Sequence, residues 1–276
     1  MRETAYAKIN LALHVRGREP DGYHRLETVF AFAEDGDRLE VSEPEHPGEL
    51  ELVVTGPLAK ALSAGESGLQ DNLILRAAGA LRQHYGVSRG ARITLDKRLP
   101  VAAGIGGGSA DAAAALRLLT RFWDLPDDPV ALHAIARTLG ADVPACLASR
   151  AVRGEGRGDD LVPVDGSALA GTPILLVNPR VPLPTGQVFK AWDGIDRGPL
   201  GADLIGRNDL EAPARTIAPV IGDVLEALAG ARFARMSGSG ATCFALYDSA
   251  EERDSAAARI RVARPDWWIL ASRLRA

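Results

Sequence analysis

Between Leu99 and Asp111 the chain reads Leu-Pro-Val-Ala-Ala-Gly-Ile-Gly-Gly-Gly-Ser-Ala-Asp, a glycine run set between a strand-like and a helix-like pattern. Glycines let backbone N–H groups turn inward and approach an oxyanion closely, and a helix opening from the run adds its positive end. Phosphate binding is the chemistry that follows, and the candidate residues are Pro100, Val101, Ala102, Ala103, Gly104, Ile105, Gly106, Gly107, Gly108 and Ser109. Gly107 is expected to need a positive φ that a side chain would block. No Lys-Ser/Thr follows the run, so it is not a Walker loop, and Ser109 stands where a dinucleotide fingerprint needs its third glycine. The His-Arg-Asp and Asp-Phe-Gly signatures of protein kinases are absent as well. Read alone, the run is compatible with a bare strand–helix turn.

Four further sets of residues could do chemistry, each with a bland alternative. A second glycine turn, Met236-Ser237-Gly238-Ser239-Gly240-Ala241-Thr242, reads by itself as a plain turn. Lys8 and Asn10 share the polar face of a strand, where a lysine is ordinarily solvated. Asp142, before Val143-Pro144, has the position of a helix N-cap. Tyr23 and His24 follow Asp21-Gly22 and could be turn residues, and His24 has no partner at metal-ligand spacing.

The elements that must position these groups are legible from periodicity. From Ala5 to Val15 the odd positions are apolar, giving a half-buried strand, and Glu19-Pro20-Asp21-Gly22-Tyr23 turns the chain into a second β-rich stretch. Strands are expected near residues 38–42, 50–55, 91–95, 173–178, 243–247 and 267–272. Helices are expected over about 72–85, 108–123, 129–139, 143–148, 217–228 and 250–262, with Gly140 as a left-handed stop after the third. Glycine-rich, charged Gly154 to Asp160 is the best candidate boundary, dividing the chain into 1–157 and 158–276. The mixture without long βαβ repeats indicates an α+β fold with two subdomains.

Composition narrows the classes. Thirty-two Lys+Arg against 36 Asp+Glu leave a net charge of −4, which lacks the positive surplus needed for nucleic-acid backbones. The apolar share of 46% with 25% charged residues belongs to an ordinary globular chain, and no run of eighteen apolar residues suggests a membrane span. Two isolated cysteines, Cys146 and Cys243, indicate neither a disulfide framework nor a metal site, so a cytoplasmic protein is expected.

Taken together, several segments resemble one family. Ala7-Lys8-Ile9-Asn10-Leu11, Asp21-Gly22-Tyr23-His24, the Leu99–Asp111 run, Gly140-Ala141-Asp142-Val143-Pro144, Pro182-Leu183-Pro184-Thr185, Asn208-Asp209-Leu210-Glu211 and the Met236–Ala241 turn follow the order found in the 4-diphosphocytidyl-2-C-methyl-D-erythritol kinases, which are GHMP small-molecule kinases. The resemblance implies an N-terminal mixed sheet with helices and a C-terminal ferredoxin-like subdomain. It implies ATP, accompanied by Mg²⁺, held by the 100–109 loop with Asn72 on the adenine side, and no residue dedicated to the metal. Lys8 would steady the charge on the substrate's 2-hydroxyl oxygen, and Asp142 would orient that hydroxyl or receive its proton. Tyr23 and Phe189 would sandwich the cytosine of the cytidine diphosphate-linked methylerythritol, with Asn10, His24 and Thr185 completing its pocket. Small molecules are then the only partners expected, without nucleic acid or membrane, and monomer and homodimer are both compatible with the sequence. A mevalonate- or homoserine-type kinase is the nearest alternative, although Tyr23-His24 would have no task there. A non-catalytic nucleotide- or RNA-binding module is the more distant one.

Overall fold

The computed structural model describes residues 1–63 and 72–275. These form two compact units that the chain visits alternately: Met1–Ala7, Asp35–Val101 and Gly106–Ala148 make the first, and Lys8–Glu34, Ala102–Ile105 and Ser149–Ala276 the second. Two long strands, β1 (Arg2–Arg18) and β2 (His24–Ser42), pair with each other and contribute to both units.

In the first unit β4 (Ala91–Asp96) lies between β2, to which it is antiparallel, and β3 (Leu50–Thr55), to which it is parallel. Four helices accompany them, α2 (Leu73–Tyr85), α3 (Gly107–Phe122), α4 (Pro129–Leu139) and α5 (Val143–Ala148), after a short α1 (Ala59–Ser63) that periodicity did not indicate. Helix α2 starts where Asn72 Oδ1 accepts the Ile74 N–H and ends at left-handed Gly86. In α3 the alanine run 112–115 and Leu116, Leu118 and Leu119 are buried. Gly140 does not supply the left-handed stop expected of it: its backbone is extended, with φ 160° and ψ 157°.

In the second unit β2 continues into β5 (Val152–Glu155) and β6 (Asp160–Pro163), so the glycine-rich stretch 154–160 takes part in a hairpin. A separate antiparallel sheet has the order β10 (Trp268–Arg273), β7 (Pro173–Asn178), β9 (Cys243–Leu246), β8 (Phe233–Met236). Helices α6 (Thr185–Lys190), α7 (Glu211–Ile217), α8 (Val220–Ala227) and α9 (Ala250–Ala263) follow the same unit. The helix expected over 217–228 is α8, which starts at Val220 after Pro219, and α7 before it was not indicated by periodicity. Leu175, Val177, Val188, Ile221, Val224, Cys243 and Ala257 belong to this unit's core. Mixed sheet, helices and a second antiparallel sheet make the α+β, two-subdomain architecture that the sequence indicated. Among the described residues no helix is long and apolar enough to cross a membrane.

Strand β1 departs from the half-buried strand expected from its alternation. Residues 8–15 are buried on both faces, and Lys8, Asn10 and His14 retain 3%, 3% and 4% of their exposure. A lysine so placed is not a solvated edge residue, and burying an ammonium is costly unless it is partnered.

Candidate active site

The first unit carries both flanks of the glycine run. Gly106, with φ 61°, is the residue before α3, and its carbonyl accepts the Ala110 N–H at 2.7 Å. The N–H groups of the first turn of this 16-residue helix therefore have no intrahelical acceptor and carry the helix's positive end. Gly107 does not have a positive φ; the left-handed positions of the run are Ala102, Gly104 and Gly106. A Cβ on Gly107 would meet Lys97 Nζ at 3.4 Å and the Pro100 carbonyl at 3.6 Å, and one on Gly108 would touch Leu73 at 3.6 Å. A side-chain carbon at either position would make only ordinary van der Waals contacts, and the expected conformational reason applies to Gly104 and Gly106 instead.

Beneath the same flanks lies a charged cluster that the sequence reading passed over. Lys97 Nζ donates to Asp37 Oδ2 at 2.6 Å and to Asp111 Oδ2 at 2.7 Å, with all three side chains essentially out of water. Asp37 Oδ1 accepts the backbone N–H groups of Arg98 and Leu99. Burial pushes the Asp111 carboxyl up to about 7 against the opposing pull of Lys97. Burial also pulls on the Lys97 ammonium, but its two carboxylates outweigh that and raise it overall. Asp142 is half-buried at the start of α5, where its carbonyl accepts the Cys146 N–H at 3.0 Å, as the N-cap position requires.

In the second unit residues 102–105 of the run rest on the second glycine turn. Ser237 Oγ donates to the Gly104 carbonyl at 3.0 Å, and the Thr242 N–H donates to the Ala103 carbonyl at 3.2 Å. A Cβ on Gly104 would come within 2.5 Å of the Ser237 carbonyl oxygen. The turn that looked incidental is thus a support for this part of the loop, and its signal was the serine–glycine alternation placed before a buried strand. Lys8 is tied to the same place: its N–H donates to the Ile105 carbonyl, and its Nζ donates to Asn10 Oδ1 at 2.9 Å. Asn10 Nδ2 donates to Thr28 Oγ1, and the Asn10 N–H donates to Ser237 Oγ. Both ends of the Asn10 amide are therefore used within the protein, which orients the lysine; the Lys8 ammonium also lies 5.0 Å from the Phe30 ring centre.

The expected cytosine residues fall into two groups. His24 packs on Phe189 with ring centres 4.9 Å apart and meets Trp192 edge-on at 5.7 Å. Tyr23, 57% exposed, instead has the Arg157 guanidinium 4.1 Å above its ring, and Arg157 is ion-paired with Asp21. Burial, and secondarily the charge of Arg18, lowers the His24 pKa, so its imidazole is neutral at pH 7. Thr185 Oγ1 is 2.9 Å from Ser239 Oγ, which joins it to the second glycine turn. Trp192 and Arg157 carried no motif of their own and become visible only through the rings they touch.

A mixed sheet, a separate antiparallel sheet and a glycine run that opens a long helix define the class of the GHMP kinases. Family models agree: residues 72–150 match the GHMP kinases N terminal domain and residues 198–264 the GHMP kinases C terminal. A 4-diphosphocytidyl-2-C-methyl-D-erythritol kinase of Rhizorhabdus wittichii is 57% identical over 99% of this chain and 94% of its own. A crystal structure of 4-(cytidine 5'-diphospho)-2C-methyl-D-erythritol kinase superposes with a TM-score of 0.82 at 35% identity, covering 100% of both chains. A mevalonate kinase structure shares the fold, with a TM-score of 0.72 over 99% of each chain, but is only 11% identical. The chain belongs to the family of 4-diphosphocytidyl-2-C-methyl-D-erythritol kinases.

Proposed function

We propose that this chain is an ATP-dependent kinase that phosphorylates the 2-hydroxyl of 4-diphosphocytidyl-2-C-methyl-D-erythritol, yielding the 2-phosphate and ADP on the methylerythritol phosphate route to isoprenoid precursors. The observation that carries this reading over a mevalonate- or homoserine-type kinase is the 57% identity over 99% of the chain to a relative of that name. The glycine run at the start of α3 supports a polyphosphate ligand, because unsatisfied N–H groups and the helix dipole both favour an anion there.

Phosphoryl transfer passes through a loose transition state, so the protein supplies mainly positioning and electrostatic stabilisation. In this reading the 100–109 loop holds the triphosphate and Asn72 lies on the adenine side. Lys8, fixed by Asn10 and buried beside Phe30, stabilises charge on the acceptor oxygen and the transferred group. Asp142 orients the 2-hydroxyl and takes its proton as the new bond forms. Tyr23, His24, Phe189 and Thr185 receive the cytidine end, and the paired His24 and Phe189 rings offer an aromatic face. In this reading Mg²⁺ accompanies the nucleotide and is bound chiefly by its phosphates and water. A division of the sequence at 157/158 leaves Lys8, the loop and Asp142 in the N-terminal part, although the compact units of the fold interleave and place Lys8 and residues 102–105 in the second. Cys146 and Cys243 are buried and not disulfide-bonded to each other, which supports a cytoplasmic setting.

The test is ADP release by the purified protein with ATP and each candidate acceptor. Release that requires 4-diphosphocytidyl-2-C-methyl-D-erythritol, with none above background for mevalonate or homoserine, is the expected result. Turnover of mevalonate or homoserine in preference to it would overturn the assignment.

A further inference from the structure

Buried ion pairs are poor contributors to stability, since apolar residues of similar volume often serve as well or better, so a buried cluster of one lysine and two aspartates calls for another explanation. Its connections supply one. Asp37, on β2, accepts the N–H groups of Arg98 at 2.5 Å and Leu99 at 2.8 Å, the two residues before Pro100 begins the glycine run. Its other oxygen takes Lys97 Nζ at 2.6 Å, and the same ammonium reaches Asp111 at 2.7 Å, one turn into α3. The strand, the chain leading into the run and the helix leading out of it are thereby joined through a single ammonium.

We propose that Lys97, acting with Asp37 and Asp111, is the positioning residue of the nucleotide loop: it sets the separation and orientation of the loop's two flanks, so that the first-turn N–H groups of α3 meet the triphosphate. This rests on the kinase reading above. The side chain is too deeply buried to need any contact with the nucleotide, and its effect passes through the backbone that it holds. Removing it therefore affects ATP selectively, leaving the cytidine substrate's binding residues untouched.

The experiment compares the parent enzyme with Lys97→Met, Asp111→Asn and the double variant Lys97→Met/Asp111→Asn. Lys97→Met alone leaves two buried carboxylates facing each other and can lose the fold; the double variant removes that repulsion and is the decisive protein. Measured are the melting temperature, the KM values of both substrates and the affinity for a non-hydrolysable ATP analogue. The expected result is a double variant with near-parental melting temperature, an ATP KM and analogue Kd raised about tenfold or more, and an unchanged KM for the cytidine substrate. A double variant with parental affinity for the analogue, whatever its melting temperature, would overturn the proposal, as would equal weakening of both substrates. Failure of the kinase reading is seen separately, as a parent protein that does not phosphorylate the cytidine substrate.

Discussion

Gly104→Ala and Gly107→Ala, two substitutions three residues apart in one glycine run, should have opposite consequences. Gly104 has φ 76°, and its Cβ would lie 2.5 Å from the Ser237 carbonyl oxygen, 2.7 Å from that of Gly240 and 2.8 Å from the Gly240 nitrogen. All three obstacles are backbone atoms, which cannot swing aside as a flexible side chain would. Left-handed strain for a non-glycine residue costs ~1–2 kcal/mol and an overpacked methyl group a further ~1–3 kcal/mol, together about 2–5 kcal/mol. That corresponds to a melting temperature lowered by roughly 5–15 °C. The displaced segment includes the carbonyls of Ala103 and Gly104, so affinity for an ATP analogue should fall with it. Gly107 is helical and has ordinary contacts from 3.4 Å outward, and alanine in place of a helical glycine favours the fold by ~0.5–1 kcal/mol. Thermal unfolding by circular dichroism and calorimetric titration with a non-hydrolysable ATP analogue read both quantities. A Gly104→Ala protein that melts and binds like the parent, while Gly107→Ala unfolds, would refute the reasoning.

Phe189→Ala should raise the KM of the cytidine substrate about 5- to 150-fold, the equivalent of ~1–3 kcal/mol of base stacking, with ATP KM unchanged; Tyr23→Ala should do the same, and a cytidine-substrate KM within about twofold of parent would remove that ring from the pocket. Lys8→Met and Asp142→Asn should each lower kcat by about two orders of magnitude or more with near-parental binding of the ATP analogue, and steady-state rates near those of the parent would sink either assignment. Asp111, at about 7 in the folded chain, holds a proton that the unfolded chain releases near 3.9, so stability should decline as pH rises from about 4 through 7. Urea midpoints measured across that window should show a weaker decline in Asp111→Asn, and an unaltered slope would contradict the assignment.

Much of the local structure was legible because its causes are local. Asn72 before an apolar helical pattern and Gly86 after it are the cap and stop that α2 uses, and β3 and β7 have the bounds that their apolar runs gave. Pro219 stands at the start of α8, the helix its pattern indicated, whereas α7, seven residues with Pro213 among them, was not indicated. Short α1, α6 and β8 escaped because four to six residues carry too little periodicity to register. The proposed site rests on residue types read through the resemblance, and its contacts were not legible in the sequence. Nothing in the alternation of β1 indicates that Lys8 is buried, since burial on the polar face depends on Thr28 and Ser237, which are far away in sequence. The role of Lys97 was hidden for the same reason: its partner Asp37 lies 60 residues upstream.

The separations along β1 also bear on how the molecule comes into being. Asn10 hydrogen-bonds to Ser237 across 227 residues, and the Val15 N–H reaches Asp209 across 194. The strand that carries Lys8 is therefore synthesised 194 to 227 residues before these partners are made. Until then a strand of seventeen residues, buried over 8–15 in the fold, lacks its final cover, a situation that favours non-native pairing and aggregation. Loops that long are slow to close, so the second unit should complete its fold only once Ser237 has emerged. A fragment ending before Ser237 would contain Lys8, the glycine run and Asp142, and would still lack the serine on which both Asn10 and Gly104 depend.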